Sequence, residues 1–132
     1  MFSFCCLFAL FVSTKPPAED AWIDEAYVTF STANYFPLVE VLLQSVELFS
    51  SRPIVVIGVN ADIPFSAQRY PHMIKKRMDI GCEPLAPTLT GPIKPLRAVF
   101  FAKPQAILEA HVRNGVFLDS DVILNRECDA LF

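Results

Sequence analysis

The sequence predicts an α/β fold: a mostly parallel sheet with flanking helices. The first reason is order, because strand-like and helix-like segments alternate along the chain after Ala26. The second is the run Ile54–Val59, which is apolar without alternation and is typical of a strand covered on both faces. The third is composition, since a hydrophobic fraction of 53% and a mean hydropathy of +0.40 are high for 132 residues. Right-handed crossovers should join the parallel strands.

The N-terminus begins with a short uncharged apolar run, residues 2–12. It is shorter than the roughly 20 residues of a membrane-spanning helix, and its length matches a signal-peptide core with cleavage near Val12 or Thr14. A short anchor giving membrane association and a mispredicted start are the alternatives. We therefore predict a targeting segment at 1–14, a Pro- and acid-bearing stem at 15–25 and a folded domain at 26–132, in the secretory pathway (the lumen of the Golgi or the endoplasmic reticulum) or secreted.

The first half of the domain contains four predicted elements. β-Branched and aromatic residues predict a strand at Tyr27–Ser31, and the next strand is Ile54–Val59. Between them, a helix from Pro37 to Phe49 shows the 3–4 spacing of one buried face. That face would comprise Leu38, Val41, Leu42, Val46 and Phe49. A second crossover helix is predicted at 66–77, where Lys75, Lys76 and Arg77 would form a solvated face.

The second half contains a loop, a helix and a strand. Four prolines and two glycines predict a loop with fixed bends at 81–95. Lys103–Val112 is a predicted helix with Pro104 in its first turn, where a missing N–H costs little. Val116–Leu118 is a short predicted buried strand that ends at Asp119.

Charge and cysteines exclude some classes of function. A net charge of −3 gives no reason to expect a nucleic acid as partner. Cys5 and Cys6 lie in the N-terminal run, whereas Cys82 and Cys128 could pair in an oxidising lumen or remain two unconnected apolar residues. No CxxC or HxxxH spacing accompanies them, so they do not form a zinc site.

Asp119 and Asp121 are the candidate chemical groups. They sit between the apolar runs Val116–Leu118 and Val122–Leu124, where two nearby carboxylates repel each other and lose solvation. A bound divalent cation removes both penalties, and oxygen ligands suit Mg²⁺ or Mn²⁺. Ligands of open α/β sheets bind outside the carboxyl ends of strands, so these acids should share a crevice with Thr29–Ser31. The alternative is an exposed acidic turn.

The segment GVFLDSDVILNRECDALF, from Gly115 to Phe132, resembles the D-x-D segment of retaining glycosyltransferases of the glycogenin and galactosyltransferase type (family 8, GT-A fold). AYVTFSTANY, from Ala26 to Tyr35, is similar to that family's first strand and uridine-binding turn. Lys103 stands where the family keeps a phosphate-facing lysine. The resemblance implies a metal-dependent transferase that takes a sugar from a nucleotide diphosphate sugar such as a UDP-sugar and passes it to a carbohydrate, protein or lipid acceptor.

The resemblance also implies roles for individual residues. Asp119 and Asp121 would bind Mn²⁺ or Mg²⁺, with Asp121 near the ribose or diphosphate, and Lys103 would contact the phosphates or the departing sugar. Arg97 is a second, less specific candidate for the positive charge that would contact the phosphates. The remaining nucleotide-sugar contacts would come from Phe30, Ser31, Thr32, Tyr35 and Ser120: the first three frame uracil and ribose, Tyr35 stacks on the base, and Ser120 meets the ribose.

The sequence departs from the family's pattern at two places. Ala33-Asn34 replaces Asn-Asp, with one residue fewer before Tyr35, so the base contacts should differ. The family's third metal ligand, usually a later histidine, has no counterpart after Asp121. His72 and His111 precede the acids and are expected to be ordinary surface or core residues. We therefore expect an N-terminal portion of a transferase, truncated after the D-x-D strand.

Two other functions fit parts of the pattern. In a haloacid-dehalogenase-type phosphatase, FLDSDVIL would supply Asp119 as nucleophile and Asp121 as acid and base. That motif normally opens its domain, whereas here only eleven residues follow Asp121, and Ile123 stands where Thr or Val is expected. A non-catalytic pseudo-transferase acting as a binding module is the third possibility, because the site is incomplete.

Overall fold

Four parallel strands form the sheet, in the spatial order β3-β2-β1-β4. The computed structural model describes residues 21–80 and 102–132. The strands are β1 (Ile23–Ser31), β2 (Ile54–Val59), β3 (Met73–Met78) and β4 (Val112–Phe117), and the helices are α1 (Phe36–Phe49) and α2 (Lys103–Glu109). The predicted α/β class with a parallel sheet is confirmed.

The two central strands are the apolar ones. All six residues of β2 are buried, as the uninterrupted run Ile54–Val59 predicted. β1 lies beside it with Tyr27 opposite Ile54 and Ser31 opposite Gly58. β1 begins at Ile23, a few residues before the predicted Tyr27.

A helix covers each face of the sheet. Tyr27, on one face, packs with residues of α1, whereas Ala26 and Val28 pack with α2 on the other. Consecutive side chains of a strand point to opposite faces, so β1 contributes to both cores. Small residues line the contact made by α2, which brings that helix close to the sheet: they are Ala102, Ala106 and Ala110.

The buried face of α1 agrees with the predicted one only at Leu42 and Val46. The helix lies where expected, but Leu38, Val41 and Phe49 are exposed at 36–43%. The buried side is apolar too: Phe36, Val39, Leu42, Leu43 and Val46. Two apolar stripes run along this helix, and periodicity alone cannot choose between them. Packing against the sheet decides.

The predicted crossover helix at 66–77 is wrong, because the chain forms a strand, β3, over Met73–Met78, at one edge of the described sheet. Pro71 lies inside the predicted helix, where it removes a hydrogen bond and clashes with the preceding turn. Exposed Lys75 and Arg77 alternate with the less exposed Ile74 and Lys76 along the strand. Charged side chains of this kind protect an open sheet edge from pairing with other chains.

α2 and β4 follow each other closely. The predicted helix 103–112 ends instead at Glu109, and His111 adopts a positive φ of 53° that turns the chain into β4. β4 is longer than the predicted strand 116–118 and is only half-buried there, so the expected full burial is wrong. β4 pairs with β1 on one side alone in the described sheet.

The last residues, 118–132, pass along the α1 face of the sheet; we call them the C-terminal segment. Leu124 is buried and its backbone N–H donates to Ser45 Oγ of α1 at 3.0 Å. At its end the Phe132 ring stands edge-on to Tyr27, with centroids 5.0 Å apart. The segment therefore runs from the carboxyl ends of the strands back to their amino ends.

Several sequence-based predictions lie outside the described residues. These are the N-terminal segment 1–14, the loop 81–95, Arg97, and the pairing of Cys128 with Cys82. In the described ranges no helix combines the length and apolar character needed to cross a membrane.

Candidate functional site

The carboxyl ends of β1 and β4 are neighbours, as predicted. Val28 is paired with Phe117, and the backbone N–H of Leu118 donates to the Val28 carbonyl at 2.9 Å. β1 continues beyond this point to Ser31, while Asp119 follows β4. The residues after the two strands thus emerge at the same edge of the sheet.

Lys103 reaches this edge from α2, the helix that precedes β4. It is the first residue of α2, and its ammonium lies 2.6 Å from Asp119 Oδ1. The same ammonium lies 4.5 Å from the ring centroid of Phe117, within cation–π range. The Lys103 and Asp119 side chains are 37% and 60% exposed. An ion pair this exposed contributes about 0–1 kcal/mol, so it is easily exchanged for other partners.

Phe30 extends the same surface. Its ring lies 5.8 Å from that of Phe117, centroid to centroid, at an interplanar angle of 44°. Phe30 and Phe117 therefore form a half-buried aromatic floor, with the cation of Lys103 on one of its two rings. Such a floor, flanked by a cation and a carboxylate, offers stacking and charge to one ligand.

The residues after β1 form a tight connection to α1. Ser31 is buried, and its hydroxyl donates to the Thr32 carbonyl at 3.0 Å. The same carbonyl accepts the backbone N–H of Tyr35 at 3.0 Å, closing the short 3₁₀ turn Ala33–Tyr35. Tyr35 is 46% exposed. The predicted contact of these residues with a nucleotide stays a prediction, and the Ser31 hydroxyl is turned toward the neighbouring backbone.

A single turn carries the two acids. The backbone N–H of Val122 donates to the Asp119 carbonyl at 3.1 Å, so Asp119, Ser120 and Asp121 bend together. Both carboxylates are exposed and Ser120 is half-buried, so the loss of solvation expected from the flanking apolar runs does not occur. Two carboxylates on one turn can approach one cation from the same side.

The donor set suits a cation shared with a phosphate ligand. Among residues 21–80 and 102–132, no three His, Cys, Asp or Glu side chains are grouped to hold a metal. Mg²⁺ is commonly held by one or two carboxylates together with substrate phosphates, and it keeps several waters. Asp119 and Asp121 therefore fit a cation that arrives with a diphosphate, and they do not make a closed metal cage.

The two histidines take no part in this edge. His72 Nδ1 lies 2.9 Å from Glu47 Oε2, and its backbone N–H donates to the same carboxylate. His111 lies at the other end of β4, where its ring is 5.5 Å from that of Trp22. Both histidines therefore contact other protein side chains away from Asp119 and Asp121.

The basic cluster of β3 lies on the far edge of the sheet. Lys75 donates to the Phe65 carbonyl at 2.9 Å, and Arg77 pairs with Asp62 at 2.8 Å and with Asp79 at 2.9 Å. An open cavity of about 200 Å³ lies among these side chains. Its described lining contains no aromatic ring, whereas the Lys103 edge combines a cation and a carboxylate with the Phe30–Phe117 floor, so we favour the Lys103 edge.

Sequence reasoning missed Ser45, which holds the C-terminal segment to α1. Its hydroxyl donates to the Leu42 carbonyl at 2.7 Å and accepts the Leu124 N–H at 3.0 Å. Ser45 is buried, and Leu124 follows Asp121 by three positions. This hydrogen bond fixes where the acid-bearing turn ends. A serine on the core side of a helix was the available signal.

Asp129 anchors the other end of the same segment. Its carboxylate accepts hydrogen bonds from Tyr27 at 3.1 Å, from the Ser51 N–H at 3.2 Å, and from the Ser50 hydroxyl. Burial opposes ionisation, but the bonds from Ser50, Ser51 and Tyr27 prevail and lower the pKa of Asp129. Burial, and then the bond to this carboxylate, raises the pKa of Tyr27 to about 12. Asp129 lies in the family-like segment Gly115–Phe132, but the sequence alone assigned it no role.

Comparison with known proteins adds no assignment. The chain matches no protein-family model, and no curated protein matches it. The residues at the carboxyl edge of β1 and β4 are therefore the basis for inferring a function.

Proposed function

We propose that this chain forms the nucleotide-sugar-binding portion of a metal-dependent glycosyltransferase that uses a nucleotide diphosphate sugar, in the first instance a UDP-sugar. The observation that carries the proposal is the meeting of Lys103 and Asp119 beside the Phe30–Phe117 floor, at the carboxyl edge of the sheet. Open α/β sheets bind their ligands at this edge. The resemblance to family 8 transferases, with its GT-A fold, points to the same residues.

Each residue has a chemical task under this proposal. Asp119 and Asp121 would hold Mn²⁺ or Mg²⁺, which supplies neutralising charge to the diphosphate. Lys103 would donate hydrogen bonds to the phosphate oxygens, where negative charge grows as the sugar departs. Lys103 is suited to this because its ammonium is already held at the site by Phe117.

The residues of β1 and the following turn would bind the nucleoside. Phe30 offers the aromatic floor, and Ser31 and Thr32 follow it in the chain at the end of β1. Tyr35 is exposed and free to stack on a base. In this proposal Ser120, on the turn between the two acids, meets the ribose. Retention of configuration at the transferred sugar is part of the proposal through the family resemblance alone.

Thermal unfolding tests the proposal with a matched pair of variants. UDP with Mn²⁺ should raise the melting temperature of the chain, because a ligand at a hundred times its Kd stabilises by about 2.7 kcal/mol. Asp121→Asn should abolish the rise. Asp24→Asn removes an exposed carboxylate at the amino end of the sheet, 3.1 Å from Arg113, and should leave the rise intact.

Two outcomes would contradict the proposal. One is the absence of any metal-dependent shift with UDP, GDP and ADP. The other is stabilisation by beryllium fluoride and Mg²⁺ without a nucleotide, which would indicate an aspartyl nucleophile at Asp119 and favour the phosphatase alternative. Mn²⁺ alone, and UDP with a chelator, complete the set of controls.

A further inference from the structure

The ammonium of Lys103 already contacts the carboxylate of Asp119, one of the two proposed metal ligands. The two groups are 2.6 Å apart, which is the distance of a charge-assisted hydrogen bond. Asp121, two residues later, is exposed on the same turn. One of the two acids proposed to bind metal is therefore already neutralised by a side chain of the protein.

We propose that Lys103 and the divalent cation compete for Asp119, and that the nucleotide diphosphate resolves the competition by giving Lys103 a new partner. This inference rests on the proposed function and adds a rule for loading: the cation and the diphosphate bind together, and the cation alone binds weakly. The lysine is the element that couples them.

The geometry makes the exchange inexpensive. The Lys103–Asp119 pair is largely exposed, so breaking it costs little. The Phe117 ring, 4.5 Å from the ammonium, offers a contact that persists when the carboxylate is taken by a metal. Lys103 thus stays at the edge of the site, facing the space where the phosphates would lie.

Electrostatics gives the direction of the coupling. With no anion present, a cation at Asp119 meets the positive charge of Lys103 at close range, which weakens metal binding. With a diphosphate present, both positive charges face phosphate oxygens and the repulsion is offset. Linkage then requires that the cation strengthen nucleotide binding by the same factor as the nucleotide strengthens cation binding.

Binding of Mn²⁺ alone, followed through the electron paramagnetic resonance signal of the free ion, isolates the competition. Lys103→Met keeps most of the side-chain length but removes the charge, and it should bind Mn²⁺ about two- to fivefold more tightly than the wild type. Lys103→Arg should behave as the wild type does. Arg113→Met removes the same charge from another exposed ion pair, at the amino half of β4, and should leave the Mn²⁺ affinity unchanged.

Adding UDP should reverse the order of the Mn²⁺ affinities, so that the wild type binds Mn²⁺ more tightly than Lys103→Met. The wild type should gain Mn²⁺ affinity when UDP is added. Lys103→Met should gain clearly less, because the phosphates of the bound UDP then lack their contact with the lysine. The competition does not exist if Lys103→Met binds Mn²⁺ alone no more tightly than the wild type does. The same conclusion holds if neither protein shows detectable binding of Mn²⁺ alone. That result leaves the proposed function standing when the wild type binds Mn²⁺ with UDP, whereas loss of this last binding in the wild type refutes the proposed function itself.

Discussion

Lys103 and Asp119 are 16 positions apart in the sequence, yet their charged atoms lie 2.6 Å from each other at the edge of the sheet. α2 and β4 lie between them, and the short turn at His111 brings β4 back beside the helix. The ion pair is thus a direct product of the helix–strand connection. It gathers a cation, a carboxylate and the Phe117 ring at one place.

Ser45 should matter for stability far more than an ordinary surface serine. Ser45→Ala leaves the buried N–H of Leu124 without its acceptor, and we expect a loss of about 1–3 kcal/mol in the free energy of unfolding. Urea denaturation measures it. Ser66→Ala is the matched control, because its hydroxyl accepts the Arg69 N–H in an exposed turn where water can replace it. Equal losses in the two variants would show that Ser45 does not hold the C-terminal segment.

Asp129 should make stability depend on acid pH. Its pKa is lowered in the folded state from 3.8, because the bonds from Ser50, Ser51 and Tyr27 outweigh the opposing effect of burial. A lowered folded pKa gives stability that is present above the unfolded pKa and is lost as pH falls through the folded value. The stability difference between wild type and Asp129→Asn should therefore be largest near neutral pH.

The measurement is urea denaturation of both proteins at steps from about pH 6 to about pH 2. The difference between them should shrink below the unfolded value of 3.8. Glu127→Gln removes the same charge from an exposed position two residues earlier and should keep the wild-type slope. If the free energy of unfolding of Asp129→Asn fell with pH as steeply as that of the wild type, this carboxylate would contribute nothing to the loss of stability in acid.

Replacing the glycines of β2 and β4 by alanine should have different effects on the free energy of unfolding. A Cβ on Gly58 would lie 2.1 Å from the Ala61 carbonyl oxygen, so Gly58→Ala should destabilise by about 1–3 kcal/mol. A Cβ on Gly115 would meet nothing closer than 3.5 Å. Gly115→Ala should therefore be neutral or stabilise by about 0.5–1 kcal/mol, because glycine weakens a strand. Thermal or urea unfolding of both variants decides, and equal effects would contradict the tight turn after β2.

The sequence made the centre of the sheet easy to predict. Ile54–Val59 is apolar at every position, and such a run has few alternatives to a strand buried on both faces. The meeting of Asp119 with the end of β1 followed from the rule that parallel strands end at the same edge. These predictions needed only local pattern and handedness.

The misses share a physical origin in contacts that a local pattern does not contain. α1 carries two apolar stripes, and only the sheet decides that Val39 is buried while Leu38 is exposed. At 66–77 the charged residues suited a helix surface as well as a strand edge, and Pro71 was the overlooked signal. Ser45 and Asp129 act through hydrogen bonds that reach residues 78 or more positions away.

The most direct test of the proposed site is paramagnetic broadening of backbone amide signals by Mn²⁺ in the presence of UDP. Sub-stoichiometric Mn²⁺ should broaden Ser31, Thr32, Ser120 and Val122 first, because they lie at the carboxyl edge. The amides of Ser51 and Arg52, beside Asp129 at the amino end, lie several strand residues away, at about 3.3 Å per residue, and should persist. Asp121→Asn should restore the broadened signals. Broadening centred on β3 or the amino end, or none at all, would contradict a diphosphate and metal site at Asp119 and Asp121.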